Sequence, residues 1–187
     1  MRLFVALEIP SAVRENLGSL LASVRAITKE PRWVRVENLH VTLKFLGEVA
    51  EEKIAAIRSA LSDVRSGKPV QLRFCDLGFF PNEKHPRVFW AGIEASPNLK
   101  TLAGDIEGAM EKLGIPRDQR EFSPHLTLAR FERAHLPEAL RKTIAENAQR
   151  EFGSLRTNEF RLIQSKLRPS GAEYTALTSF CFAPRVE

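Results

Sequence analysis

His40-Val41-Thr42-Leu43 returns 85 residues later as His125-Leu126-Thr127-Leu128. Imidazole is the side chain whose ordinary pKa lets it give or take a proton near neutrality. Two of them can act as base and acid in one step, one serving the nucleophile and the other the leaving group. Threonine hydroxyls and nearby backbone N–H groups can donate to an anionic oxygen held between them. A phosphodiester fits this arrangement. Its non-bridging oxygens need donors, and its attacking and leaving oxygens lie on opposite sides of phosphorus, where two histidines from opposite sides match the in-line geometry. No Asp/Glu cluster accompanies either motif in the sequence, so there is no two-metal pattern.

These residues need strands to position them. Alternation puts His40 and Thr42 on one face and Val41, Leu43 and Phe45 on the other, and turns His125 and Thr127 away from Leu126 and Leu128. Strands are predicted over 2–9, 33–46, 69–80, 87–94, 124–131, 158–168 and 173–182. Four apolar stripes at helical spacing lie between them. They run through Val13, Leu17, Leu20, Leu21, Val24 and Ile27; Ile54, Ile57, Leu61 and Val64; Leu99, Leu102, Ile106, Met110 and Leu113; and Leu136, Leu140 and Ile144. Ser96-Pro97 is expected to open the third helix as N-cap and first-turn proline, and Pro137 the fourth.

Shifting the N-terminus by the same 85 residues lays Arg2-Leu3-Phe4-Val5-Ala6 on Arg87-Val88-Phe89-Trp90-Ala91. Each half then runs strand, helix, His-x-Thr strand, helix, strand, as duplication and fusion would leave it. Pro81-Asn82-Glu83-Lys84-His85-Pro86, rich in turn formers, is the natural joint. The expected fold is α+β: a duplicated bilobal fold, with two antiparallel-sheet lobes and outer helices around a central cleft. The chain is expected to be a single compact domain over 1–187, with sequence repeats at about 1–80 and 87–168 and a closing strand over 169–187. A rival reading, two half-buried histidines satisfied by neighbouring backbone, leaves unexplained why costly polar pairs recur on cleft-facing strands.

With these residues in view, the chain resembles the 2H phosphoesterases, named for two His-x-Thr/Ser-x motifs. Among them it is most similar to the bacterial and archaeal RNA 2′,3′-cyclic phosphodiesterases, also called 2′-5′ RNA ligases. The resemblance covers nearly the whole chain. It runs through Arg2-Leu3-Phe4-Val5-Ala6-Leu7-Glu8-Ile9-Pro10, Asn38-Leu39-His40-Val41-Thr42-Leu43-Lys44-Phe45-Leu46-Gly47-Glu48 and Arg87-Val88-Phe89-Trp90-Ala91-Gly92. It continues through Phe122-Ser123-Pro124-His125-Leu126-Thr127-Leu128-Ala129-Arg130 and Ser165-Lys166-Leu167-Arg168-Pro169-Ser170-Gly171-Ala172-Glu173-Tyr174-Thr175.

The resemblance implies hydrolysis of an RNA 2′,3′-cyclic phosphate end to a 2′-phosphate without metal or nucleotide cofactor, and reversal of the reaction to join RNA ends through a 2′-5′ linkage. It implies His40 as proton donor to the departing 3′ oxygen and His125 as proton acceptor from water, with Thr42 and Thr127 on phosphate oxygens. The symmetry of the two halves leaves acid and base unassigned by the residues themselves. Two alternatives stand beside this reading: a 2H phosphodiesterase acting on 2′-5′ oligonucleotides or small cyclic nucleotides, and a non-catalytic RNA-binding module, against which both intact motifs argue.

Arg130 follows the second motif, where the family often has arginine, and is a phosphate-contact candidate. Strict alternation sets it on the face of Leu126 and Leu128, so a strand end or bulge is needed to turn it inward. Lys44 shares the parity of His40 and is expected at the cleft rim or in solvent. Trp33, Phe79 and Phe80 lie near strand ends, where they can stack a base, whereas Phe89 and Trp90 are expected in the core. His85 and His135 are expected to be exposed. Arg161, Lys166 and Arg168 read as one strand face, either tracking an RNA backbone or simply solvated.

The 187 residues allow one domain or two tightly joined lobes, and 43% hydrophobic with 27% charged residues reads as an ordinary soluble protein. Met1 to Leu7 is apolar, but Glu8 cuts it short, so it reads as a strand rather than a leader. Cys75 and Cys181 are too few and too far apart for a disulfide scaffold or zinc cage, and are expected as buried free thiols in a reducing cytoplasm. The net charge of +5 and pI of about 9.5 tilt toward an anionic partner such as a phosphate ester or RNA. No membrane or protein partner is implied, and a monomer is expected.

Overall fold

The computed structural model describes residues 1–132, 135–169 and 171–184. The four apolar stripes form helices α1 (Ser11–Ile27), α2 (Ile54–Ser62), α3 (Asn98–Glu111) and α4 (Glu138–Glu146), each burying its striped face. Pro97 and Pro137 directly precede α3 and α4. The hydroxyl of Ser96 does not cap α3. It accepts the Gln71 N–H at 2.9 Å and donates to Asn98 Oδ1 at 2.6 Å, tying the helix start to a neighbouring strand.

Among the described residues nine strands build two antiparallel sheets. They are β1 (Arg2–Glu8), β2 (Arg32–Trp33), β3 (His40–Glu48), β4 (Val70–Phe80), β5 (Val88–Ala95), β6 (His125–Arg130), β7 (Glu151–Thr157), β8 (Glu159–Arg168) and β9 (Gly171–Cys181). One sheet has the order β3-β1-β8-β9 and the other β2-β6-β5-β4-β7. The expected strand over 33–46 is really two. Arg32–Trp33 pairs with β6 in the second sheet, a 3-10 turn at Val36–Asn38 follows, and His40–Glu48 pairs with β1 in the first. β7 was not expected. It is an edge strand with Phe152 alone fully buried and Gly153 at φ +127°, so its sequence carries little alternation.

In order of elements, β1-α1-β3-α2-β4 matches β5-α3-β6-α4-β8. Neither sheet is built from one repeat. β4 pairs with β5 and β8 pairs with β1, so the two repeats exchange their third strands. Residues 81–86 therefore join two neighbouring strands of one sheet. The overlay of Arg2-Leu3-Phe4-Val5-Ala6 on Arg87-Val88-Phe89-Trp90-Ala91 is out of phase by one. Glu8 faces His40 but Gly92 faces His125, an offset of 84, and a one-residue slip reverses every face. Accordingly Phe4 lies on the histidine face, whereas Phe89 is in the core.

One core cluster joins both sheets and all four helices, through Leu7, Val41 and Leu43 of the first sheet, Phe74, Phe89 and Leu126 of the second, and the striped helix faces. The motif histidines lie on the opposite faces of the sheets. There a small separate cluster of Phe4, Ala6 and Ile163 packs against Tyr174. Among the described residues no helix is long and apolar enough to cross a membrane.

Candidate active site

His40 and His125 are the first residues of β3 and β6, and these two strands approach each other across the sheets. β3 is an edge strand, and β2 covers β6 only at Ala129 and Arg130, so each motif lies along an open edge. Both strands alternate as expected over the motif itself: His40, Thr42, His125 and Thr127 are half-buried, while Val41, Leu43, Leu126 and Leu128 are buried.

Each strand then carries a bulge at the same repeat position. Val5 pairs with Lys44 but Ala6 with Thr42, leaving Leu43 over; Phe89 pairs with Ala129 but Trp90 with Thr127, leaving Leu128 over. A bulge shifts parity by one. In β6 it turns Ala129 into the core and puts Arg130 on the face of His125 and Thr127. In β3 it overturns the expectation for Lys44, which is 1% exposed. The Lys44 ammonium lies 2.9 Å from Glu107 and 3.6 Å from Asp118, and donates to the Pro116 carbonyl at 2.8 Å. Phe45 takes the face where Lys44 was expected, and its ring packs 6.0 Å from Phe4.

The two histidines are held alike. Nδ1 of His40 is 2.7 Å from the Asn38 carbonyl, and Nδ1 of His125 is 2.8 Å from the Ser123 carbonyl. A carbonyl only accepts, so Nδ1 carries the proton in both rings and Nε2 is the nitrogen left to exchange one. Burial lowers both pKa values from the ordinary histidine range, against the raising effect of the carbonyl bond. The positive charge of Arg130 lowers that of His125 further. Among the described residues neither motif threonine's hydroxyl has a hydrogen-bond partner, so both are free to donate.

Aromatic rings flank each imidazole. Phe4 lies 4.6 Å and Tyr174 5.2 Å from His40, centroid to centroid. Phe80 lies 5.1 Å from His125 and 5.3 Å from Trp90. Gly78 makes room for Trp90, since a Cβ there would be driven into the indole. Trp90, opposite Thr127, thus lies on the motif face and is not core as expected, with a buried indole N–H that has no hydrogen-bond partner among the described residues. Of the three aromatics expected to be available for a base, Phe80 alone touches a motif histidine. Trp33 packs on Phe89 and donates to the Thr28 carbonyl, and Phe79 stacks on Phe89.

Tyr174 belongs to β9, whose approach to the site is fixed by two donors. Arg35 Nη2 and Asn38 Nδ2 both donate to the Ala172 carbonyl, at 2.9 and 2.7 Å. Asn38 therefore orients His40 through its carbonyl and β9 through its amide. Neither Tyr174 nor Asn38 was singled out from the sequence, because each lies distant from the residue it serves or carries no chemistry of its own.

The expected basic stripe divides. Arg161 lies opposite Ala6 and pairs with Glu8 at 2.6 Å, whereas Lys166 and Arg168 have the other parity and Arg168 pairs with Glu173 at 3.1 Å. His85 and His135 are exposed. Cys75 is buried but Cys181 is exposed, since Phe180 and Phe182 on either side take the inward positions. Cys75, Asp76 and Glu94 bring three ligand atoms within 4.8 Å of one another. The Glu94 carboxylate is already engaged by Arg73 at 2.6 Å.

Two stretches, residues 7–90 and 93–174, match the family described as LigT like phosphoesterase. The chain belongs to this family. Relatives of this LigT like phosphoesterase include an RNA 2′,3′-cyclic phosphodiesterase of Archaeoglobus fulgidus, 38% identical over 182 residues that span 96% of this chain and 99% of the relative. Another of the same description, from Methanothermobacter thermautotrophicus, is 31% identical over 96% of this chain and 98% of its own. The crystal structure of TT0787 of Thermus thermophilus superposes with a TM-score of 0.81 at 33% identity, covering 97% of this chain and 98% of that one. Escherichia coli LigT complexed with phosphate gives 0.74 at 28% identity, covering 98% of each. The duplicated α+β architecture is thus the LigT fold, matched once in each half.

Proposed function

We propose that this LigT like phosphoesterase is an RNA 2′,3′-cyclic phosphodiesterase that opens a terminal cyclic phosphate to a 2′-phosphomonoester. The observation that carries the reading is the matched pair of histidines, each with Nδ1 on a backbone carbonyl and a free threonine hydroxyl beside it, on strands that approach across the two sheets. Relatives over 30% identical along nearly their whole length bear that name, which supports the substrate.

In this reading Nε2 of His125 takes a proton from water as the water oxygen bonds to phosphorus. The bond from phosphorus to O3′ breaks, and Nε2–H of His40 protonates the departing O3′. The hydroxyls of Thr42 and Thr127, with Arg130, hold the non-bridging oxygens. Arg130 supports the division of labour. Its charge acts on His125 and favours the neutral ring that a base needs. At His40 burial lowers the pKa, but among the described residues no charge adds to that lowering against the cationic ring that an acid needs. The same centre run backwards joins RNA ends through a 2′-5′ linkage. The chain acts as a single compact unit of two pseudo-symmetric lobes, a monomer in the cytoplasm, with no metal or nucleotide cofactor in the step.

RNA ending in a 2′,3′-cyclic phosphate, incubated in EDTA, is expected to yield a 2′-phosphate end. His40→Ala and His125→Ala should each lower turnover by about 10²–10⁴-fold with the fold intact by circular dichroism. A 3′-phosphate product, or undiminished activity in both variants, overturns the reading.

A further inference from the structure

Arg2, Ser165 and Tyr174 lie in one row across β1, β8 and β9, Arg2 opposite Ser165 and Ser165 opposite Tyr174. Directly opposed residues share a face, here that of Phe4, Ile163 and His40. At about 4.8 Å per strand, Arg2 and Tyr174 start about 10 Å apart at their backbones, within reach of two long side chains turned toward each other. Arg130 reaches the same place from the second sheet, because the Leu128 bulge turns it onto the cleft face. The charges of Arg2 and Arg130 both act on the Tyr174 phenol. Burial outweighs them and raises its pKa, so the hydroxyl stays a donor.

Arg161, on the same face of β8 as Ile163 and Ser165, is neutralised by Glu8. Arg2 and Arg130 make no ion pair or side-chain hydrogen bond among the described residues. Two uncompensated guanidinium groups and a phenol donor, gathered from two sheets, are a place for an anion. It adjoins the reacting centre without coinciding with it: the Tyr174 ring is edge-on to His40 at 5.2 Å, and its strand is fixed by Arg35 and Asn38.

We propose that Arg2 and Tyr174, with Arg130 between the two sites, form a second anionic subsite that holds the phosphate on the 5′ side of the terminal nucleotide. This rests on the reading of the two histidines as the cyclic-phosphate centre. With that phosphate between His40 and His125, the next anion along an RNA strand is the phosphodiester one nucleotide upstream. The subsite makes the protein selective for the end of an RNA chain over an isolated nucleoside cyclic phosphate.

The test compares kcat/KM on three substrates: a nucleoside 2′,3′-cyclic phosphate, the same compound with a 5′-phosphate, and a dinucleotide ending in the cyclic phosphate. The wild type should prefer the two that carry a second phosphate. Arg2→Gln should lower the ratio of dinucleotide to nucleoside activity about tenfold, the scale of one charge-assisted hydrogen bond. It should also reduce the salt slope on the dinucleotide by about 1. Tyr174→Phe should lower the ratio less, and Arg2→Lys should restore part of it. A wild-type ratio near one, or an Arg2→Gln effect equal on all three substrates, overturns the subsite while leaving the catalytic reading standing. Wild-type inactivity on all three overturns the catalytic reading and the subsite with it.

Discussion

Each motif histidine commits Nδ1–H to the carbonyl two residues before it, which leaves one nitrogen for chemistry and fixes its tautomer. Burial is the main cause lowering both rings, and what separates them is charge, because Arg130 acts on His125 in addition. Arg130→Gln is therefore expected to raise the pKa of His125 and leave that of His40 in place. Both rings of the wild type should titrate below the ordinary histidine range. NMR titration of the imidazole protons checks this ring by ring, where a pH–rate profile reports only the coupled pair. An unmoved His125, or a shift shared equally with His40, would contradict the assignment of Arg130 to the cleft. The histidines and threonines were legible in the sequence because their chemistry is carried by residue type and by repetition. Arg130 was legible only as a residue needing a bulge, and Lys44 was misplaced, because alternation cannot reveal a bulge until the partner strand is known.

The elements that hold the site act through those bulges. Leu43 and Leu128 occupy equivalent repeat positions, and each lets two successive residues after the threonine exchange faces. In β6 this delivers a cation to the cleft; in β3 it sends one into the interior, where Glu107 of α3 and the Pro116 carbonyl receive it. That contact ties the motif strand to the helix and to the loop leading toward His125. Removing one partner of a buried pair leaves the other uncompensated, so Glu107→Ala should cost about 3 kcal/mol. Asp118, at 3.6 Å from the ammonium and more exposed, limits the loss without replacing the 2.9 Å contact. Lys44→Met combined with Glu107→Leu should cost less than Glu107→Ala alone, because no charge is left buried. Urea denaturation with an unchanged m-value is the measurement, and a cost below about 0.5 kcal/mol for Glu107→Ala would mean that Asp118 carries the pair. The helices were legible from their stripes. β7 was not, since an edge strand with one buried ring offers no period, and the break between β2 and β3 was hidden because Val34, Val36 and the apolar residues of β3 read as one strand across Glu37-Asn38.

For the molecule as a whole, the decisive feature is the exchange of β4 and β8. The 85-residue repeat was visible in the sequence, because duplicated strands and helices keep their local patterns. The exchange was not, because a strand's own residues do not say which sheet it enters. Without β8, the edge of β1 opposite β3 is an open row of backbone donors and acceptors, and the Phe4 and Ala6 face loses Ile163 and Tyr174. Without β5, β4 has no partner on its inner side, and Phe74 loses the core it shares with Phe89 and Leu126. Residues 1–84 and 85–187, expressed separately, should therefore fail to fold, each giving collapsed amide dispersion by NMR, even though each carries a complete His-x-Thr repeat. Produced together, they should assemble one to one and recover native dispersion, because every strand then finds its partner and only the 81–86 connection is cut. A half that folds alone as a monomer would mean that its third strand can return to its own repeat. That outcome would make the exchange a consequence of fusion rather than a condition of folding. Because the histidines come one from each repeat, the same pair of fragments also tests whether the cleft needs both: neither half should turn over a cyclic phosphate, and the reassembled pair should.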